Sequence, residues 1–214
     1  MFPELPLFGV FLTAAVVLAL TPGPGVFYVL TRSLRGGRAE GVASSVGTAI
    51  GGLGHVVAAA LGLSAVLMAS AFAFNLVKYV GALYLIYLGV MTLRGRQELD
   101  LDGEGVSVGA ADTRRALTQG IITEALNPKT ALFFLAFLPQ FIDPNGGVVA
   151  QFLLLGAISV TLNTTVDLVV AYFAGPLGQW LRANPRWREL QRRATGWALI
   201  GLGAYVALGD SRRK

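Results

Sequence analysis

Apolar residues run along the chain in six long stretches, roughly 5 to 31, 42 to 69, 72 to 93, 118 to 142, 148 to 175 and 195 to 209, and the charged residues crowd into the gaps. A helix rises about 1.5 Å per residue, so about 20 apolar residues cross the hydrocarbon of a bilayer, and most of the stretches reach that length. The sixth falls about one turn short, which local thinning of the membrane or the use of flanking residues offsets. The pattern predicts an all-α integral membrane protein with six transmembrane helices. Leu5 to Leu20 has the apolar content of a signal-peptide core. No basic residue precedes it, however, and Thr21-Pro22-Gly23-Pro24 follows where a small-residue cleavage site belongs, so a retained span is expected.

The basic residues between the stretches fall on alternate connections. Arg32, Arg35 and Arg38 follow the first span, Arg94, Arg96, Arg114 and Arg115 separate the third from the fourth, and Arg182, Arg186, Arg188, Arg192 and Arg193 precede the sixth. Residues 1 to 4, 69 to 75 and 142 to 148 carry none. Positive residues stay in the cytoplasm, which puts the N-terminus outside; Arg212, Arg213 and Lys214 at the end of the chain dissent. The acidic, glycine-bearing segment 95–113, with Glu98, Asp100, Asp102 and Glu104, reads as a cytoplasmic linker. It divides a first three-helix repeat, 1–94, from a second, 114–209, and 210–214 is a basic tail. Three spans is an odd number, so the second repeat enters the membrane from the opposite side to the first. The two are inverted repeats.

Each repeat opens with a span interrupted by proline: Thr21-Pro22-Gly23-Pro24-Gly25 in helix one and Asn127-Pro128-Lys129 in helix four. Proline supplies no N–H and clashes with the preceding turn, so both helices are expected to break there. In hydrocarbon the freed backbone groups need partners, so a broken helix is tolerated where it is buried in protein or lines a wet cavity. Paired breaks at corresponding positions of inverted repeats point to a solute site near the membrane midplane.

Composition narrows the chemistry. Residues of the AVILMFWYC set make up 54% of 214 positions and glycine adds 27 more, too much apolar surface for a soluble domain of this size to hide. There is no cysteine, which excludes disulfides, thiolate metal sites and a cysteine nucleophile. The net charge of +5 sits beside apolar runs without interleaved aromatics, so it is topological and implies no nucleic-acid partner. No HExxH and no paired-acid motif lies in the apolar runs, and the one GxSxG match, Gly105-Val106-Ser107-Val108-Gly109, falls in the acidic segment 95–113 and not between an apolar strand and a helix, so the chain does not read as an enzyme, and no cofactor or metal site is implied.

Charged residues inside the apolar runs are the candidates for function. An ammonium at a helix centre costs ~2.5–3.5 kcal/mol, so Lys129 needs a partner, a cavity or a snorkelling route to the interface. Glu124 lies five residues before it, and Asp167 sits in span five beside Asn163, Thr164 and Thr165. A buried carboxyl either pairs with a cation or holds a proton, and the latter is what a proton-coupled carrier uses, so Glu124 and Asp167 are candidates for proton coupling. Fixed ion pairs, or exposure of Glu124 at the interface, are the bland alternatives. His55 is the one histidine. It suits a hydrogen bond across helices, titration near neutral pH, or plain packing. Gly47 and Gly51 have the spacing for close helix contact. Thr21, Pro22, Gly23, Pro24, Gly25, His55, Asn127, Pro128, Lys129, Asn163 and Asp167 make up the expected substrate-binding and translocation set.

Several of these pieces, in this order, resemble the LysE/RhtB group of bacterial amino-acid exporters. The matching elements are Thr21-Pro22-Gly23-Pro24, the glycine-rich span with Gly47, Gly51 and His55, Val80-Gly81-Ala82-Leu83-Tyr84-Leu85 to Gly89, Gly120, Asn127-Pro128-Lys129-Thr130, Phe133-Phe134, Leu138-Pro139-Gln140-Phe141, and Gly196 to Gly203. The resemblance covers nearly the whole chain. It implies a multi-pass protein of the bacterial inner membrane that exports amino acids or their derivatives by secondary-active, proton-coupled alternating access. Its partners would be the small-molecule substrate, protons and the lipid bilayer, with room for a homodimer. Export of a metal cation or toxicant on the same scaffold, and a structural role in a membrane complex, are the alternatives.

Overall fold

The computed structural model describes residues 5–63, 71–94, 112–143 and 146–208, and over them the chain is helical with no strand. Helix α1 spans Leu5–Leu20, α2 Pro24–Ala58, α3 Ala71–Leu93, α4 Thr113–Ala125, α5 Pro128–Leu132, α6 Val148–Ala183 and α7 Pro185–Leu208. A π turn at Ala59–Leu63 extends α2, and α5 runs on through a π turn at Phe133–Phe137 and a 3-10 turn at Leu138–Phe141. The expected tail 210–214, and all of the expected linker 95–113 except its last two residues, lie outside the described residues.

Two connections differ from the expected loops. The basic segment after the first span is helical on both sides of Gly37, whose φ of 74° is open to glycine and strained for other residues. The chain folds back sharply there, since Arg32 and Glu40, eight residues apart, form an ion pair at 3.2 Å. Helix α2 is therefore two arms joined by a one-residue turn, and the loop reduces to that residue. The segment 176–194, expected as a connection, is also helical on both sides of Asn184. Pro176 is accommodated inside α6, and Pro185 starts α7, where its missing N–H costs nothing.

Glycine sets how closely the helices cross. An ideal Cβ built on Gly51 would stand 2.8 Å from the Ile121 carbonyl oxygen and 2.8 Å from Glu124 Cβ, so the second arm of α2 touches α4 backbone to backbone. Gly120 returns the contact, 2.7 Å from the Ser44 carbonyl oxygen. Small-xxx-small spacing works here as a packing device. Helices α3 and α7 cross in the same way through Gly89 and Gly196, and again where Gly203 meets Ala82. Phe11, Phe133, Phe137, Phe141 and Phe152 fill the space between α1, the α5 run and α6.

The outside of this bundle is apolar. Leu61, Phe72, Leu83 and Phe173 are 60–80% exposed, as suits a surface solvated by lipid. By length and composition, Pro24–Gly62 and Val148–Leu177 are able to cross a membrane, and α4 with the α5 run, bent by 42°, makes a third candidate. Leu7–Leu20 and Tyr79–Leu93 are apolar but shorter.

Candidate functional site

The first break is built by Thr21 and two prolines. Thr21 closes α1 by donating its N–H to the carbonyls of Val17 and Leu18, and its hydroxyl bonds the Val17 carbonyl at 2.7 Å. Pro22 has no N–H, Gly23 is extended, and Pro24 begins α2 at the position where a missing N–H is harmless. Three residues with no continuing helix leave the last carbonyls of α1 in need of donors.

Lys129 supplies them. Its Nζ lies 2.8 Å from the Thr21 carbonyl oxygen and 3.1 Å from that of Leu18, and the residue is only 6% exposed. Snorkelling to the interface is therefore not its solution. The ammonium crosses from the second break to the first. Gly23 makes room, since a Cβ there would come within 3.1 Å of Lys129 Cε.

The second break turns on Asn127. Its Oδ1 accepts the Lys129 N–H at 3.0 Å, capping α5, while its Nδ2 donates to Glu124 Oε2 at 2.9 Å. Pro128, at the first position of α5, faces outward, whereas Asn127 and Lys129 on either side of it point in. Thr130 Oγ1 donates to Glu124 Oε1 at 2.6 Å, so both Glu124 oxygens are held and the carboxyl is buried. It is not exposed at an interface. His55 Nε2 donates to the Glu124 backbone carbonyl at 3.0 Å, and its ring stacks on Phe134. This histidine supports the break from behind and does not line the cavity.

Across from Glu124, Thr48 of α2 and Asp167 of α6 meet at 2.8 Å. Asp167 is 4% exposed, and among the described residues neither it nor Glu124 has an ion-pair partner. Together these groups enclose a polar cavity. It is lined by Gly25 from the first break, Asn127 and Lys129 from the second, Glu124, Thr48, Asn163 and Asp167, and it leaves about 20 Å³ for a water centre. That is space for roughly one water, not for a solute. On the α1 side of the Lys129 bridge lies a second, mostly apolar cavity of about 600 Å³ between α1 and α7, lined by Thr13, Leu18, Thr21, Phe137, Leu202 and Tyr205 among others.

Of the residues singled out in the sequence, Gly25, Asn127, Lys129, Asn163, Asp167 and Glu124 meet at one cavity. Thr21 and Gly23 act through Lys129, and Pro22, Pro24 and Pro128 shape the backbone around it. Thr48 escaped sequence reading, and Thr130 entered it only as the last residue of the motif Asn127-Pro128-Lys129-Thr130, with no role attached. The helical spacing Ser44, Thr48, Gly52, Val56, all buried on one face of α2, is the signal that would have found Thr48.

The LysE type translocator family model matches residues 16–210. Relatives of similar length match over nearly their whole sequence. A membrane protein of Vibrio cholerae is 32% identical, covering 92% of this chain and 94% of its own. A membrane protein of Bacillus subtilis is 31% identical, covering 92% and 97%. A homoserine/homoserine lactone efflux protein of Salmonella typhimurium is 30% identical, covering 92% and 94%. No solved structure matches the chain.

Proposed function

The chain belongs to the LysE type translocator family, and from that premise we propose that it exports amino acids or their derivatives across the bacterial inner membrane by proton-coupled alternating access. One observation carries the reading: two interrupted helices, from opposite halves of the chain, converge on a buried polar cavity that holds Lys129, Glu124 and Asp167. A structural protein has no use for three ionisable groups at a cost of several kcal/mol of desolvation, whereas a carrier does. Homoserine and homoserine lactone, named for the Salmonella relatives, are the first substrates to try. The cavity as it stands takes a single water, so solute entry requires one of the breaks to open, as alternating access demands.

A zwitterionic substrate has a carboxylate and an ammonium to place. The carboxylate would draw Lys129 away from the Leu18 and Thr21 carbonyls, and those carbonyls, released, would then accept the substrate ammonium. The same exchange loosens the bridge between the two breaks. Binding and opening are thus one event. The six spans form two inverted repeats, with the N-terminus outside and the three arginine-rich connections in the cytoplasm.

Counterflow in proteoliposomes tests this. Vesicles preloaded with unlabelled homoserine are expected to accumulate labelled homoserine, and an inward proton gradient is expected to drive net efflux. Absence of counterflow for homoserine, homoserine lactone, threonine, leucine and lysine, with monodisperse protein, would overturn the substrate class.

A further inference from the structure

Glu124 and Asp167 both border the cavity, but their hydrogen bonds make them unequal. Glu124 accepts on each oxygen, from Asn127 Nδ2 at 2.9 Å and Thr130 Oγ1 at 2.6 Å. An amide N–H2 only donates, so that oxygen stays an acceptor, and the pair of donors fits an ionised carboxylate. Among the described residues, Asp167 has one hydrogen-bond partner, the Thr48 hydroxyl, 2.8 Å from Oδ2.

Thr48 Oγ1 also lies 2.9 Å from the Ser45 carbonyl oxygen. A hydroxyl has one proton, and a carbonyl oxygen only accepts. Both contacts are therefore made at once only if Thr48 donates to Ser45 and Asp167 donates to Thr48, which requires a proton on Asp167. If Asp167 is ionised, it takes the Thr48 proton and the Ser45 contact is lost. Charge agrees with the donor count. The charged groups around Asp167 are Glu124 and Lys129, from α4 and the start of α5; α2 presents only the Thr48 hydroxyl, and His55 lies outside the cavity lining. With Asp167 neutral, Glu124 and Lys129 cancel; with it ionised, a cavity that holds one water carries an uncompensated negative charge.

We propose that Asp167 carries the exchangeable proton, that Glu124, held on both oxygens, anchors the second break, and that Thr48 is a positioning residue that reads the state of Asp167. When the proton passes from Asp167 to water, the Thr48 hydroxyl rotates from Ser45 to Asp167 and ties α2 more tightly to α6. Protonation returns it. The assignment rests on the proton-coupled reading above and deepens it, naming which carboxyl couples and through which helix pair.

Infrared spectroscopy of the purified protein in lipid nanodiscs, titrated without any substrate, tests it. A protonated-carboxyl C=O band is expected in the wild type that disappears as pH rises, absent in Asp167→Asn and retained in Glu124→Gln. Thr48→Val removes a charge-assisted bond from the ionised form and only a neutral one from the protonated form. The band should then persist to about tenfold lower proton concentration. Thr48→Ser should restore the wild-type midpoint. A band that vanishes in Glu124→Gln, no titrating band in the wild type, or identical behaviour of the Val and Ser variants would overturn the proposal. Because no solute enters the measurement, the result is separate from the success or failure of counterflow.

Discussion

At the scale of single residues, the site depends on one cation serving two helices. Lys129→Met leaves the Thr21 and Leu18 carbonyls without their ammonium and two carboxyls without a nearby positive charge, and transport is expected to fall at least about a hundredfold. Lys129→Arg keeps the charge but not the fit, because the Lys129 stem already packs against Gly23, and partial activity is expected; initial rates of counterflow separate the two variants. A glycine pair gives a sharper comparison. A Cβ on Gly25 would lie 2.6 Å from Glu124 Oε2, whereas one on Gly54 meets nothing within 4 Å. Gly25→Ala is therefore expected to abolish transport and Gly54→Ala to leave it intact, with a melting temperature at or above wild type. Lys129, Glu124 and Asp167 were legible from sequence because a charge inside an apolar run stands out. Thr48 was not, since its hydroxyl differs from those of Ser44 and Ser45 only in what faces it from α6.

Among the helices, sequence located each break but not each extent. Proline marks where a helix cannot continue, so the interruptions at Pro22 and Pro128 were readable, and so was the close packing implied by Gly47 and Gly51. The one-residue reversal at Gly37 and the joint at Asn184 were not, because arginine-rich segments read as loops yet have good helix propensity. The crossing of α2 and α4 yields a stability prediction. Gly51→Val would drive a side chain into the Ile121 carbonyl, a backbone atom that cannot step aside, and is expected to cost about 1–3 kcal/mol, seen as a lower melting temperature in detergent. Gly62→Val, where nothing lies within 4 Å, is the control. The charged start of α7 responds to pH. Hydrogen bonding and attraction from Arg193 and Arg192 hold the Glu189 carboxyl below its ordinary value of 4.5. A depressed carboxyl contributes above its unfolded value and loses that contribution as pH falls through the folded one. Amide exchange over residues 186 to 194 should therefore quicken relative to the rest of the chain in acid and not in mild alkali.

For the whole molecule, the Lys129 bridge stands between two cavities of opposite character, a polar one beside Asp167 and an apolar one along α1 and α7. With the proposed orientation, residues of α1 preceding the break face the outer half of the membrane, while the polar cavity lies towards the arginine-rich turn at Gly37. The bridge would then be the barrier that alternating access needs, and its partners, two backbone carbonyls, are supplied by an interruption that sequence alone places in the correct span. The absence of cysteine makes this directly measurable, because single cysteines can be introduced without a background. Thr13→Cys, lining the apolar cavity, is expected to react with a membrane-impermeant thiol reagent added outside, and Thr164→Cys, lining the polar one, with reagent added inside once transport has opened that cavity beyond the single water it holds at rest. Combining either with Lys129→Met should allow labelling from both sides, since the barrier is gone. Labelling of Thr164→Cys from outside with Lys129 in place would mean that the two cavities communicate past the bridge. Lys129 would then be a binding group alone, and the gate would have to lie elsewhere in the bundle.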